Sequence, residues 1–151
     1  MPLIRNMRAI MWKKTYSKEF QDITPEEVWD CWTRVNDWTD WHSDLDSCQM
    51  EGEFKVGNHF MLKPKGAKSV KITITDVQPL KQFTDCTSFP GAKMYDTHAV
   101  EEIPGGVRIK NELVVTGPLK WLWIALVAKK VADSVPEELE ALVELKRGQG
   151  V

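Results

Sequence analysis

Residues Ile23 to Trp32 read Ile-Thr-Pro-Glu-Glu-Val-Trp-Asp-Cys-Trp and fix the start of a helix at residue level. Thr24 suits the N-cap, because its hydroxyl accepts from an orphan backbone N–H of the first turn. Pro25 falls at the first helical position, where a missing N–H costs nothing. Glu27, three residues after Thr24, completes a capping box, and Ile23 and Val28 can form a hydrophobic staple. Glu26 and Glu27 also suit the positive end of the helix dipole. Val28, Trp32 and Val35 share a stripe that Cys31 borders, which predicts a helix over residues 25–34.

A strand is predicted before this helix, over about residues 12–20, with Trp12, Tyr16 and Phe20 on one parity. After it, Asn36 or Asp37 is expected to cap a second short helix carrying Trp38, Trp41 and His42. A run of strand-like segments follows at short spacing, as in an antiparallel meander. These are residues 45–52, a segment opened by Gly57 with Phe60 and Leu62 that ends at Pro64-Lys65-Gly66, a segment in which Val70, Ile72 and Ile74 alternate and which Pro79 closes, and residues 82–89, 93–103 and 107–116. Gly105-Gly106 is expected to form a tight hairpin turn in which both residues tolerate positive φ. After Gly117-Pro118 the apolar period changes from two to about 3.6. Residues 119–147 read as one long helix with an apolar stripe of Leu119, Leu122, Leu126, Val135, Leu139, Leu142 and Val143. Pro136 is expected to kink or split it, with Ser134 and Glu137 recapping the second half.

The length of 151 residues is one domain's worth and can bury a real core. With 20 basic against 22 acidic residues the net charge is −2, which argues against nucleic acid as the main partner. Lys63, Lys65, Lys68 and Lys71 cluster, but at a turn where solvation explains them. The three cysteines, Cys31, Cys48 and Cys86, are scattered, an odd count that fits a reducing compartment. The first ten residues lack the apolar core of a signal peptide and are expected to be poorly ordered. The longest apolar stretch, residues 121–128, is too short to span a bilayer. A cytoplasmic protein is expected, monomer or homodimer.

The predicted order is strand, two short helices, six strands and one long helix. It reads as an α+β fold in which a curved antiparallel sheet of about seven strands wraps a long C-terminal helix. With the Thr-Pro-Glu-Glu-Val-Trp opening, Trp38 and Trp41, Gly57 with Phe60 and Leu62, Gly105-Gly106-Val107 and Gly117-Pro118, this pattern resembles the START-like or SRPBCC helix-grip superfamily, in particular its polyketide cyclase/dehydrase and lipid-transport branch. The resemblance covers nearly the whole chain from about residue 12. It implies a cavity between the concave sheet face and the C-terminal helix, with its mouth near the short helices and the strand-to-helix junction. It implies no obligatory metal or cofactor. The superfamily contains enzymes, carriers and regulators, so the fold does not settle the activity.

Among polar residues His98 stands out, because it shares strand parity with Asp96 and Val100, and Asn111 has the parity of Ile109 and Leu113 on the next strand. If Val100 faces inward, Asp96 and His98 do too, and a His beside a carboxylate is an acid/base pair near neutral pH. The bland alternative is that the pair only hydrogen-bond each other, or face solvent after a one-residue slip. A metal site of His98, Asp96 and His42 has no supporting ligand spacing. Asp85 shares parity with Phe83 and Thr87 and offers a second carboxylate, unless its segment is an exposed edge strand. The candidate ligand-binding residues are Trp38, Trp41, Phe60, Leu62, Asp85, Asn111, Leu113 and Trp121. Trp29 and Trp32 read as plain core. Trp121 and Trp123 cannot share a helix face, so one is free to meet a membrane or a hydrophobic ligand.

Three readings follow. The first is a binding or carrier module for an apolar or amphipathic small molecule, such as a lipid, isoprenoid or polyketide-like ligand, with transient membrane contact compatible. The second is a cofactor-independent cyclase, dehydratase or hydrolase using His98 and Asp96. The third is a protein-interaction module like the superfamily's heat-shock activator or toxin-like branches, which predicts a filled cavity and an exposed apolar patch.

Overall fold

The computed structural model describes residues 11–149, so the expectation for the first ten residues lies outside the described residues. Strand β1 (Met11–Gln21) leads into helix α1 (Pro25–Thr33) and a 3-10 helix (Val35–Asp40). Strands β2 (Leu45–Met50), β3 (His59–Pro64), β4 (Val70–Gln78), β5 (Gln82–Phe89), β6 (Ala92–Ile103) and β7 (Gly106–Thr116) follow. The chain ends in a helix of three parts: α2 (Lys120–Trp123), a π-helical turn (Ile124–Ala128) and α3 (Lys129–Gln149). The strands form one antiparallel sheet in the order β1-β7-β6-β5-β4-β3-β2, the helix-grip arrangement.

The capping box at α1 forms as its sequence predicts. Thr24 Oγ1 accepts from Glu27 N at 3.2 Å, and Thr24 N donates back to Glu27 Oε1 at 3.1 Å. Val28, Cys31 and Trp32 are buried beneath it. The far end of α1 is tied to the C-terminal helix by Lys146 Nζ donating to Asp30 Oδ2 at 2.6 Å, a bond that, with one from Arg34, holds the Asp30 carboxyl below its ordinary range.

The second short helix differs from expectation. It starts at Val35, with Arg34 at its N-cap and no side chain capping it. Asn36 is committed elsewhere, its amide clamping Met50 N (2.8 Å) and Met50 O (3.3 Å), which fixes the helix on β2. Trp41 and His42 follow the helix rather than ride on it.

The β6–β7 hairpin also works differently. Gly105 has φ +79°, as a tight turn requires, but Gly106 is the first residue of β7 and needs no positive φ. It is glycine because a Cβ there would lie 1.9 Å from the Phe20 carbonyl oxygen. Steric approach of β1, not backbone handedness, excludes a side chain.

The C-terminal helix is where the pattern misleads most. Val135, Leu139, Leu142 and Val143 are buried against the sheet as predicted. Upstream, Ile124 and Ala128 are the buried positions, whereas Leu119, Leu122 and Leu126 are 48%, 49% and 54% exposed. Steps of three and four residues back from Val135 reach Val131 or Ala132, then Ala128 and Ile124, so the anchored half dictates which upstream face is buried. Helix α3 runs through Pro136, and Ser134 does not cap. The Ser134 hydroxyl lies 2.8 Å from Val131 O and 2.6 Å from Glu138 Oε1, and its one proton serves these two acceptors. The departure from α geometry lies instead in the π turn at Ile124–Ala128.

Candidate functional site

On three adjacent interior strands the inward positions set polar residues beside apolar ones, with the polar group in the middle on β6 and β7. On β6 they run Met94, Asp96, His98, Val100; on β7, Leu113, Asn111, Ile109; on β5, Phe83, Asp85, Thr87. The register aligns these into one band. Asp85 pairs with Asp96, Phe83 with His98, and His98 with Asn111. The band divides the interior into two apolar clusters. The larger joins Trp32, Trp38, Phe60, Phe83 and Ile109 to Leu139 and Leu142 of α3. The smaller joins Ala92, Met94, Leu113 and Val115 to Ile124 and Ala128.

Side-chain geometry within the band is tight. Asn111 Nδ2 donates to Asp96 Oδ1 at 2.6 Å and lies 3.4 Å from His98 Nδ1. His98 Nε2 lies 3.4 Å from Asp96 Oδ1 and 3.5 Å from Asp85 Oδ2, close enough for charge attraction but poorly aligned for a hydrogen bond. Among the described residues it is a buried nitrogen without a hydrogen-bond partner. The imidazole stacks on Phe83, with ring centroids 4.3 Å apart and planes at 12°, and Trp32 flanks it at 5.8 Å. These rings hold the His98 plane against the sheet.

The electrostatics set the protonation states. For Asp96, burial raises the pKa and outweighs the attraction of His98; Asp85 and Glu138 raise it further, to about 7. For His98, burial acts downward, but the negative charges of Asp96, Asp85 and Glu138 win and raise it to about 9. Near neutral pH His98 is thus an imidazolium between carboxylates, and Asp96 is poised to gain or lose a proton.

Glu138 and His42 extend the site from the helix side. His42 Nε2 lies 2.9 Å from Glu138 Oε1, which also accepts from Ser134, and both side chains are more than four-fifths buried. His42 Nδ1 is a second buried nitrogen with no hydrogen bond among the described residues. Sequence reading missed Glu138. Its signal was its place beside the buried stripe, three residues after Val135 and four before Leu142.

The other candidates separate into groups. Asp85, Asn111 and Leu113 are buried in or beside the band, and β5 is an interior strand rather than an edge. Trp38, Trp41 and Phe60 lie in the larger cluster, where Trp38 and Phe60 pack edge to face at 5.0 Å. Leu62 is partly buried against that cluster. Trp121 is 64% exposed on the outer side of the helix, and the structure does not bring it to the band. A separate open recess of about 360 Å³ lies at edge strand β2, lined by Asn36, Thr39 and residues 46–51, with none of the band residues. The cysteines carry no nucleophile here: burial raises the thiols of Cys31 and Cys48 to about 11 and about 12.

Comparison with known proteins agrees with this architecture. The di-domain aromatase/cyclase StfQ of the steffimycin biosynthetic pathway superposes with a TM-score of 0.77 at 11% identity, over 98% of this chain and 55% of that one. A hypothetical protein of Helicobacter pylori gives 0.72 at 14% identity, covering 89% and 88% of the two chains. Ara h 8.0201 gives 0.68 at 15% identity, covering 91% and 99%. At such identities these likenesses establish the fold alone. A search of curated proteins by sequence gave no match. The profile of one family, described as polyketide cyclase / dehydrase and lipid transport, matches residues 11–145. With nearly the whole described chain matched, the protein belongs to the polyketide cyclase / dehydrase and lipid transport family.

Proposed function

We propose that the protein binds an apolar or amphipathic small molecule between the concave sheet face and the C-terminal helix, with the polar part of the guest at the Asp85–Asp96–His98–Asn111 band. The observation that carries this reading is the band itself. A core built only for stability has little use for two carboxylates, an imidazole and an amide midway between two apolar clusters, because each polar group costs free energy unless fully paired. Two of the buried imidazole nitrogens, His98 Nε2 and His42 Nδ1, have no hydrogen-bond partner among the described residues. A guest hydroxyl or carbonyl supplies what they lack. The aromatic packing of Trp32, Trp38, Phe60 and Phe83 closes one end of the grip, so the guest's apolar part belongs beside the smaller cluster, under Ile124 and Ala128.

Displacement of a fluorescent fatty-acid probe, with mass spectrometry of co-purifying molecules, tests this. Saturable displacement that weakens about tenfold in Asn111→Leu, the scale of one lost hydrogen bond in a buried site, supports it. No probe binding and no co-purified guest overturns it.

The pKa of Asp96 near neutrality favours a second reading, a cofactor-independent cyclase or dehydratase acting on a polyketide-like substrate. Asp96 would take a proton from carbon α to a carbonyl, and the His98 imidazolium would stabilise the enolate oxygen that develops. Turnover of a synthetic β-polyketone, with a pH–rate inflection near 7 that Asp96→Asn abolishes, is the expected result. Guest binding without any change in the ketone removes this reading and leaves the first intact.

A further inference from the structure

Seven large hydrophobic residues are strongly exposed among the described residues, and four of them, Leu119, Trp121, Leu122 and Leu126, fall within eight positions at the start of the C-terminal helix. The clustering is what needs a reason, since scattered exposed leucines are ordinary. The surface is held in place rather than loose. Leu119 N donates to Gly91 O at 2.9 Å, Trp123 Nε1 donates to Pro90 O at 2.8 Å, and the Trp123 ring stacks on Phe89 at 4.5 Å. The β5–β6 turn therefore clamps the helix start with its apolar residues outward. Charge is segregated in the same stretch. Between Gly117 and Asp133 there is no acidic residue, and of the three lysines in that span Lys120 is buried while Lys129 and Lys130 are exposed. Lys129 and Lys130 are exposed one turn beyond Leu126.

We propose that this face docks on an anionic lipid bilayer. A stripe of Leu119, Leu122 and Leu126, with Trp121 about a quarter turn to its side and Lys129 and Lys130 one turn beyond, matches the layering of a membrane surface, with hydrocarbon below and phosphate above. The indole of Trp121 sits at the headgroup boundary, and the lysine stems lie along the apolar zone with their ammonium groups among the phosphates. A bilayer fits better than a second copy of the chain, because identical faces bring together like charges at Lys129 and Lys130. The helix start also covers the smaller apolar cluster, so docking sets that end of the interior against the lipid. The inference stands whether or not a guest occupies the polar band.

Co-sedimentation of the full chain with vesicles of phosphatidylcholine alone, and of phosphatidylcholine mixed with phosphatidylglycerol, is the test. Binding is expected to the mixed vesicles only, to fall with added salt, and to drop at least about tenfold in Trp121→Ser/Leu126→Ser. Lys129→Glu/Lys130→Glu is expected to remove the preference for anionic lipid. All four side chains are exposed, so the melting temperature should hold, and it serves as the folding control. Absence of binding to either vesicle overturns the proposal, as does binding that survives both double substitutions. A dimer seen by light scattering that Trp121→Ser dissociates, with no vesicle binding, also overturns it and assigns the face to self-association.

Discussion

Asp85 stands directly opposite Asp96 across the β5–β6 ladder, both facing the interior, and one imidazole nitrogen of His98 lies within 3.5 Å of an oxygen of each. Two carboxylates at cross-strand spacing repel, and a buried pair is worse. The arrangement is tolerable because His98 carries a positive charge between them and Asp96 readily holds a proton. His98→Leu is therefore expected to lose about 3 kcal/mol at neutral pH, the usual cost of stranding a buried charge. His98→Leu/Asp96→Leu should recover part of that loss, and a denaturant double-mutant cycle measures the coupling.

Stability should fall as pH rises from mildly acidic to alkaline. Both groups hold protons more tightly folded than unfolded: Asp96 at about 7 against 3.8, His98 at about 9 against 6.5. The Asp96 contribution is complete below its unfolded value and is lost as pH climbs to about 7, and that of His98 is lost between its unfolded value and about 9. Thermal melts across this range should show the decline. Asp96→Asn should flatten the lower limb and also bring the His98 limb to lower pH, since Asp96 is a cause of the raised imidazole. A melting temperature that does not change with pH between about 5 and about 9 would contradict the assigned charges.

Glu138→Gln should shift both central groups without touching the sheet. Glu138 is among the charges that raise Asp96 and His98, so its neutralisation is expected to lower both pKa values, by less than loss of Asp85 would for His98. Titration of the His98 ring by NMR reads this directly. His42 Nε2, which lies 2.9 Å from Glu138 Oε1, should lose its carboxylate neighbour in the same variant.

Gly106→Ala should be among the more damaging single-methyl changes in the chain. The added Cβ meets the Phe20 carbonyl oxygen at 1.9 Å, and that atom belongs to a paired strand backbone that cannot step aside. A cost of about 3 kcal/mol is expected from overpacking, read from the denaturation midpoint. Gly57→Ala is a useful contrast, because its methyl meets nothing within 4 Å and only the φ of +92° is strained.

What was legible in the sequence follows from how local each cause is. The α1 start was readable because Thr24, Pro25 and Glu27 act within one turn. The strands were readable because period two is carried by each segment on its own; Asp96 and His98 share the parity of the buried Val100, and both side chains are 15% exposed. Burial of Asp85 was not decidable locally. Phe83, Asp85 and Thr87 look the same on an edge or a central strand, and only the sheet order puts β5 inside. The phase of the helix start was misread for a related reason. Leu119, Leu122 and Leu126 form a sound stripe by themselves, but Val135 to Val143 choose the buried side for the whole rod. Glu138 escaped notice because its partners come from the chain segment near residue 42 and from strands far away in sequence.

The widened turn at Ile124–Ala128 takes up one residue more than an α turn would. Excising a single position there would restore α geometry and leave Trp121 and Leu122 facing as they do, with Leu139 and Leu142 still seated. Excising a position from the regular α-helix beyond it would instead swing the two ends about 100° relative to each other. The outward face of the rod is thus buffered against a change of chain length at this one turn and sensitive to it elsewhere.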